Sequence, residues 1–278
     1  MRYAITLALS LALCFIVQGL ALHVSGGRFT KNESNFFSSI GRIQAGAQED
    51  VEVAFLGSSL TGRLPDQSHG FDGVANMGCD GGSAIDALRA IDRGTLPAAP
   101  VLVIEVNTMI RAVDAAPSMI AQAMERPWFQ VGLEVPLLSA SARPSGFFYS
   151  LLLKQKIGSF DTSGTPPDLG VSRAPAPVEE PERDWNNEKE ALIAEVAEIS
   201  ERLRDRGTTT VFIWLPPGRP EGQAPPGWMV AMAARSGSPW WDVGQHADPS
   251  LIKLTDGAHM AAPSAARTVR TVLNGLDE

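Results

Sequence analysis

Short apolar runs alternate along this chain with stretches in which apolar residues recur every three or four positions. The segments "VEVAFLG" and "VLVIEVN" place mostly apolar residues at Glu52 to Leu56 and at Val101 to Asn107, and "TTTVFIWLPPG" and "PWWDVG" repeat the pattern further on. Continuous apolar runs of this length are typical of strands that are buried on both faces. The pattern therefore predicts several strands of a buried sheet.

The stretches between these runs have helical periodicity. In "GGSAIDALRAID", Ile85, Leu88 and Ile91 fall on one helical face, and "NNEKEALIAEVAEISERLRDRG" carries a longer apolar stripe that Gly207 closes. A last helix is predicted over "PSAARTVRTVLNGL". Strands that alternate with helices at these distances indicate an α/β domain with a doubly wound parallel sheet.

The region from about residue 128 to 184 interrupts the alternation. It contains "VGLEVPLLSASARPSGFFYSLLLKQK", which is apolar but broken by proline and glycine, and then the proline-rich "TSGTPPDLGVSRAPAPVEEPERD". We interpret the region as an insertion in the α/β domain, its proline-rich part an extended or disordered loop. Within it "FFYSLLL" is predicted to be a buried helix that packs on the sheet. A surface that faces a membrane or a partner is the alternative.

The N-terminal region contains an uncharged, mostly apolar run of twenty residues, 3–22. A helix of this length can cross the hydrocarbon core of a bilayer, so residues 1–24 are predicted to be a membrane anchor or an export signal. We favour a retained anchor over cleavage near Ala21, with 25–50 as a linker and 51–278 as the α/β domain. The bulk of the protein is then expected in the periplasm or outside the cell.

Composition narrows the partners of this domain. The net charge is −8 over 278 residues, which argues against a nucleic-acid ligand because phosphates require a basic surface. Cys14 lies in the apolar run and only Cys79 lies outside it, so no intrachain disulfide is expected. His, Cys and carboxylate residues do not occur at metal-ligand spacing, and we expect neither a metal nor another cofactor.

The first predicted strand runs into "GSSLTGRLP", which fits two different chemistries. Gly57 and Gly62 are five apart, as in a phosphate-binding loop, whereas Ser59 stands where an acyl-transfer nucleophile could sit. A phosphate loop needs a lysine and then a hydroxyl residue that ligates Mg²⁺, but Arg63 and Leu64 occupy these positions. We therefore interpret the segment as a nucleophile loop. Arg63 is either an anion-binding residue or a solvated surface arginine.

Polar residues also follow the other predicted strands, at the sheet edge where doubly wound proteins bind ligands. Asn107 ends "VLVIEVN", the glycine-rich "VANMGCDGGSA" offers backbone N–H donors, and "LTDGAHM" places Asp256 three residues before His259. A serine becomes a good nucleophile when an imidazole takes its proton and a carboxylate orients that imidazole. The chain thus contains the groups that acyl transfer requires.

These residues occur in the order of the four blocks of the SGNH (GDSL-type) superfamily of serine esterases and acyltransferases, which the chain resembles from about Val51 to Leu276. Gly57-Ser58-Ser59-Leu60 is similar to the Gly-Asp-Ser-Leu block, and Asn76 through Gly81 matches Asn-x-x-x-x-Gly. Glu105-Val106-Asn107 keeps only the asparagine of Gly-x-Asn, and Asp256-Gly257-Ala258-His259 matches Asp-x-x-His.

The resemblance implies a flavodoxin-like three-layer fold and a role for each matched residue. Ser59 would be the nucleophile, His259 the general base and Asp256 the carboxylate that orients it. Gly81 and Asn107 would donate hydrogen bonds to the oxyanion. The acyl-enzyme would then be resolved by water in an esterase or by a sugar hydroxyl in an O-acyltransferase.

Two departures from the family pattern bear on function: Ser58 replaces an aspartate and Glu105 replaces a glycine. A Gly-Ser-Ser start is similar to that of membrane-anchored members that modify cell-envelope polymers. It implies small acyl esters of a glycan as substrates and a membrane-bound acyltransferase as a partner. The departures also leave open a catalytically inactive SGNH fold that serves as a binding or assembly subunit. Ser58 is the alternative nucleophile and His246 the alternative base.

Overall fold

The computed structural model describes residues 2–24, 34–47, 50–113, 117–146, 148–149, 152, 169–174, 178–216, 224–244 and 247–277. At its centre is a six-stranded sheet with the strand order β2-β1-β3-β5-β6-β4. The strands are β1 (Val53–Gly57), β2 (Val74–Gly78), β3 (Val101–Glu105), β4 (Val171–Ala174), β5 (Thr209–Trp214) and β6 (Trp240–Val243). All neighbouring pairs are parallel except β4 with β6, so the predicted α/β fold is confirmed and the sheet is mostly, but not entirely, parallel.

Eight α-helices with fully described bounds surround or precede the sheet. They are α1 (Arg2–Val24), α2 (Asn35–Gly46), α3 (Ala84–Asp92), α4 (Met119–Met124), α5 (Pro127–Glu134), α6 (Asn187–Asp205), α7 (Gly227–Arg235) and α8 (Ala262–Leu276). Short 3-10 turns occur at Thr61–Arg63, Gln67–His69, Met109–Ala112, Pro136–Leu138, Ala140–Ala142 and Pro249–Leu251. The helices predicted around residues 85–91, before Gly207 and near the C-terminus correspond to α3, α6 and α8.

Helices cover both faces of the sheet. Successive side chains of a strand point to opposite faces, and in β1 Ala54 and Leu56 join one buried cluster whereas Phe55 joins the other. The first cluster contains residues of α2, α3, α6 and α7, and the second contains residues of α8. Because the central strands are covered on both sides, their continuous apolar runs are accounted for.

The segment expected to be a linker contributes a helix of the core. Ser34 caps α2 by accepting the N–H of Phe37 at 3.2 Å, and Ile40 and Ile43 are completely buried. The side chain of Arg42 is buried as well. Residues 34–47 therefore pack as part of the α/β unit, and residues 25–33 and 48–49 lie outside the described residues.

Part of the middle region differs from the sequence-based expectation. Residues 171–174 form the antiparallel edge strand β4, so the interpretation of this stretch as a loop was wrong. Phe148 and Leu152, four positions apart on one helical face of "FFYSLLL", are 64% and 67% exposed, so this face does not pack on the sheet. The remaining residues of that motif except Tyr149, and the proline-rich residues 153–168 and 175–177, lie outside the described residues.

Within the described residues, α1 is the one helix long and apolar enough to cross a bilayer, with Arg2–Ala21 as the candidate span. A signal sequence can have the same length and composition, so this finding does not distinguish a membrane span from an export signal. Near its C-terminal end α1 contacts the α/β unit, where Gln18 Nε2 donates to the carbonyl of Leu137 at 2.6 Å.

The strand order indicates that a ligand would bind at the carboxyl ends of the parallel strands. The parallel strands follow the order of flavodoxin-like sheets, in which the connections from β1 and β3 diverge to opposite sides. A crevice opens outside the carboxyl ends of strands at such a switch point. Ser58 and Ser59 follow β1 directly, and Asn107 lies two residues beyond β3.

Candidate active site

Ser59 lies in a tight turn directly after β1, at the edge where the parallel strands end. The N–H of Gly62 donates to the carbonyl of Ser58 at 2.8 Å, and the chain continues into the 3-10 turn Thr61–Arg63. Ser59 itself is half-buried. A phosphate-binding loop would run on into a long helix whose N-terminus faces the anion. The short turn therefore agrees with the interpretation of this segment as a nucleophile loop.

The structure brings Ser59, His259 and Asp256 together in one hydrogen-bonded series. Ser59 Oγ is 3.0 Å from His259 Nε2, and His259 Nδ1 is 2.8 Å from Asp256 Oδ2. An ionised carboxylate can only accept, so Nδ1 must carry the imidazole proton when the ring is neutral. Nε2 is then an acceptor, positioned to take the proton of the serine hydroxyl. Residues 200 positions apart along the chain thus meet at one point.

The carboxylate of Asp256 is held by the turn that carries His259. Asp256 Oδ1 accepts the main-chain N–H groups of His259 and Ala258 at 2.8 and 3.2 Å, and Thr255 N–H donates to the His259 carbonyl at 2.8 Å. The hydrogen bonds from the backbone and ring of His259 lower the pKa of Asp256 to about 2. The carboxylate therefore stays ionised at neutral pH. Asp256 is half-exposed, so solvent screens its charge.

Backbone amides in the loops after β1 and β2 are candidates for binding an oxyanion. In the described part of the chain, the N–H groups of Ser59 and Gly81 donate to no protein atom, and Gly81 is exposed. The neighbouring amides of Cys79, Asp80 and Gly82 all donate hydrogen bonds within the protein. Gly81 thus presents an exposed, unused N–H in the turn after β2, and it is the donor that the family resemblance implies.

The side chain of Asn107 joins the ends of two strands. Its Nδ2 donates to the carbonyl of Leu215 at 2.8 Å, and its Oδ1 accepts the N–H of Leu215 at 2.8 Å. Asn107 therefore fixes the end of β3 to the residue that follows β5. The amide nitrogen carries a second proton, which leaves one donor for a ligand. The contacts give Asn107 a structural role alongside the predicted oxyanion role.

Glu105, the last residue of β3, is completely buried beneath the nucleophile turn. Its Oε2 accepts the N–H of Ser58 at 2.7 Å, the Ser58 hydroxyl at 2.9 Å and the Thr61 hydroxyl at 2.9 Å, and its Oε1 accepts the Thr108 hydroxyl at 3.1 Å. The two departures from the family pattern are therefore complementary. A serine stands where the family has a carboxylate, and a carboxylate from the neighbouring strand stands where the family has a glycine.

Gly57 is required because of this carboxylate. A Cβ atom at position 57 would overlap the Oγ1 of Thr61 and the Oε2 of Glu105. No rotamer change relieves such an overlap cheaply, because both atoms are fixed by the same hydrogen-bond network. The glycine at the end of β1 therefore serves close packing of the turn and not contact with a phosphate.

A buried ion pair supports the turn after β2 from below. Arg42 of α2 donates to Asp80 Oδ1 at 2.7 Å and to the carbonyl of Gly78 at 2.8 Å, and the side chains of Arg42 and Asp80 are 0% and 5% exposed. Both side chains also lie against Gly62, where a Cβ atom would clash with them. The helix α2, which precedes the predicted start of the α/β domain at residue 51, thus fixes the loop that contains Gly81.

Asn76, the first residue of the second sequence block, also holds the two loops together. Its Nδ2 donates to the carbonyls of Thr61 and Leu64 at 2.8 and 2.7 Å, and its Oδ1 accepts the N–H of Gly78 at 2.9 Å. The side chain is buried, and these three hydrogen bonds all join it to backbone groups. Asn76 therefore positions the nucleophile turn and does not face a ligand.

The other candidates from the sequence lie elsewhere or are occupied. The hydroxyl of Ser58 is buried and donates to the carboxylate below it, which leaves Ser59 as the serine beside an imidazole. His246 lies outside the described residues. Cys79 is buried, and burial raises the pKa of its thiol. Arg63 Nε is buried and has no hydrogen-bond partner in the described structure.

A depression near the amino-terminal ends of β1 and β3 is separate from this site. It is lined by residues before β1 and β3, among them Val51, Glu52, Pro97 and Pro100. None of the residues hydrogen-bonded around Ser59 lines it. Across the described ranges, no three His, Cys, Asp or Glu side chains are arranged to hold a metal ion.

Comparisons of the chain with protein-family models, with curated proteins and with solved structures found no match. Function must therefore be inferred from the residues of the site.

Sequence reasoning missed the supporting roles of Glu105 and Arg42. A signal for Glu105 was present, because a carboxylate within the apolar run "VLVIEVN" must find partners when the strand is buried.

Proposed function

We propose that this protein is a serine-dependent esterase or O-acyltransferase of SGNH type, with Ser59 as the nucleophile. The main support is the contact between Ser59 Oγ and His259 Nε2 at 3.0 Å, in a series that ends at an ionised carboxylate. The two unused amides of Ser59 and Gly81 add donors for the oxyanion. A serine that only capped a turn would need neither an imidazole partner nor free amides beside it.

The proposed reaction begins when Ser59 Oγ attacks the carbonyl carbon of an ester and His259 Nε2 takes the hydroxyl proton. The negative charge that develops on the carbonyl oxygen is stabilised by the amides of Ser59 and Gly81 and by Asn107. Removal of one such donor costs about 2.7–4 kcal/mol in a well-studied serine protease. As the tetrahedral intermediate collapses, the C–O bond to the leaving alkoxide breaks and His259 returns the proton to it.

The second half of the reaction repeats these steps with a new nucleophile. His259 removes a proton from water or from a sugar hydroxyl, which attacks the acyl-enzyme and releases Ser59. Water gives net hydrolysis and a sugar hydroxyl gives acyl transfer. The family resemblance favours small acyl esters of a cell-envelope glycan, with α1 as a retained anchor and the α/β unit on the periplasmic or outer side. A membrane-bound acyltransferase is the partner that the same resemblance implies.

Covalent labelling of the full-length protein in detergent tests the nucleophile. A fluorophosphonate probe should add once, at Ser59, and both Ser59→Ala and His259→Ala should abolish the adduct. His69→Ala is the matched control, because His69 also pairs with an aspartate three residues away, at 3.0 Å, but has no contact with Ser59. It should label as the wild type does.

Failure to label would contradict a self-sufficient serine enzyme. It would favour the other hypothesis, a catalytically inactive subunit that assembles with a membrane acyltransferase. Labelling at a serine other than Ser59 would contradict the assignment of the nucleophile. When labelling at Ser59 is found, the rate of acyl-enzyme breakdown with and without an added glycan acceptor separates an esterase from a transferase.

A further inference from the structure

A line of exposed apolar side chains runs along α5 and the turn after it. Trp128, Val131, Val135 and Leu138, which we call the apolar ridge, are 46%, 42%, 41% and 46% exposed. Trp128 and Val131 are three residues apart and share one side of α5, Val135 follows in extended backbone, and Leu138 ends the 3-10 turn after it. Isolated exposed apolar residues are normal on a protein surface, but several large ones within eleven consecutive residues mark a surface that contacts another apolar phase.

The opposite side of α5 is already used by the core. Phe129 is completely buried, and Gly132 packs closely enough on Gln44 that a Cβ atom would clash with it. The polar residues of the helix, Gln130 and Glu134, are four positions apart and form a separate stripe. α5 therefore has a core side, a polar side and an apolar side, and the apolar side stays largely exposed in the described structure.

The apolar ridge is joined directly to α1. Gln18 Nε2 donates to the carbonyl of Leu137, which lies within the ridge between Val135 and Leu138, and Gly19 faces the Leu137 side chain. Gln18 is three residues before Ala21, the end of the candidate span. At a rise of 1.5 Å per residue, Leu137 is about 4.5 Å inside that end. The end of the ridge at Val135 and Leu138 thus lies at the level where a spanning α1 leaves the hydrocarbon core.

The amino-acid composition of α5 and the turn after it fits the boundary between hydrocarbon and water. Tryptophan is enriched at the boundary between hydrocarbon and water, because its ring is apolar and its N–H is polar. Arg126 precedes the helix directly and can reach lipid head groups. A short helix with one apolar and one polar side that lies in the plane of a membrane has these features. A protein partner would not require the direct connection to α1.

We propose that the apolar ridge is immersed in the interface of a lipid bilayer beside the point where α1 emerges. The inference rests on the retained anchor in the proposed function, but not on its chemistry. The bond between Gln18 and Leu137 and the immersed ridge would together hold the α/β unit against the membrane in one orientation. Cleavage near Ala21 would remove Gln18 and release the unit.

Site-directed spin labelling of the full-length protein in phosphatidylcholine–phosphatidylglycerol vesicles tests this arrangement. Nitroxides are placed by Val131→Cys and Leu138→Cys in a Cys14→Ala background, and Glu198→Cys is the matched control. Glu198 is an exposed residue of α6, with a side chain that is 71% exposed. Cys79 is completely buried and should not react. Native Cys14, labelled in the otherwise unchanged chain, reports separately on α1.

Collisions with molecular oxygen, which concentrates in lipid, and with a water-soluble nickel chelate give the depth of each label. We expect labels at Val131 and Leu138 to be reached by oxygen and shielded from nickel, as at Cys14, and the label at Glu198 to show the reverse. Access of nickel to Val131 while Cys14 is in lipid would overturn the inference and leave the anchor intact. Shielding of Val131 from both reagents would indicate a protein partner and would also overturn it.

If Cys14 were also open to nickel, α1 would lie outside the bilayer and both the anchor and the immersed ridge would be refuted. The assignment of Ser59 would be unaffected, because the fluorophosphonate experiment tests it independently. The two proposals can therefore fail separately.

Discussion

The buried carboxylate of Glu105 offers the sharpest test of how the nucleophile turn is held. Four donors surround it, three of them at Oε2, including the main-chain N–H of Ser58 at 2.7 Å. Replacement by alanine removes every acceptor from this pocket. Replacement by glutamine keeps the shape and one acceptor oxygen but removes the charge. The comparison of Glu105→Ala with Glu105→Gln separates the need for an acceptor from the need for a charge.

The structure sets the expected magnitudes. In Glu105→Gln the amide oxygen can occupy the Oε2 position, and the amide nitrogen can donate to the Thr108 hydroxyl, which is able to accept. The loss is then mainly that of charge assistance, about 1–3 kcal/mol in the free energy of unfolding. In Glu105→Ala the completely buried Ser58 keeps an N–H without a partner, and a cavity remains. The expected loss is about 3–5 kcal/mol.

Urea unfolding of the full-length protein in detergent, followed by tryptophan fluorescence, measures these changes. The rate of fluorophosphonate labelling at Ser59 measures whether the turn keeps its geometry, and it should fall more in Glu105→Ala than in Glu105→Gln. Glu52→Ala is the control, because Glu52 is exposed beside the other end of β1 and should change stability by less than about 0.5 kcal/mol. The reasoning is refuted if Glu105→Ala unfolds and labels like the control.

Two further predictions concern the other charged groups of the site. The lowered pKa of Asp256, about 2, means that its ionised form stabilises the fold above the unfolded pKa of about 3.9 and stops doing so as the pH falls through 2. The difference in melting temperature between wild type and Asp256→Asn should therefore shrink as the pH falls from about 5 toward 2. A difference that persists unchanged at pH 2 would contradict this. Arg42→Met leaves Asp80 buried without its cation and should lower the free energy of unfolding by about 3–5 kcal/mol. Urea unfolding measures the change, with Arg93→Met at an exposed arginine as the control. A loss below about 1 kcal/mol would contradict the prediction.

Much of the fold follows from patterns that are local in the sequence. The strands β1, β3, β5 and β6 are visible as apolar runs, because a strand covered on both faces has no polar side. The helices α3, α6 and α8 are visible because each buries one side. The edge strand β4 has no such pattern, since only its ends are even partly buried. Its backbone pairing with β6 is a tertiary contact that the flanking prolines gave no reason to expect.

The sequence by itself determined the kinds of residue that stand at the strand ends, and so the candidate chemistry of Ser59, Asp256 and His259. The aspartate and the histidine are three apart, so their pairing is a local property of one turn. Only the tertiary structure decided that this turn meets Ser59, because the contact depends on how α8 packs against the sheet. It also decided what the buried charges do. Arg42 and Glu105 find their partners 38 and 47 residues away, and a buried charge takes its role from such distant neighbours and not from its flanking residues.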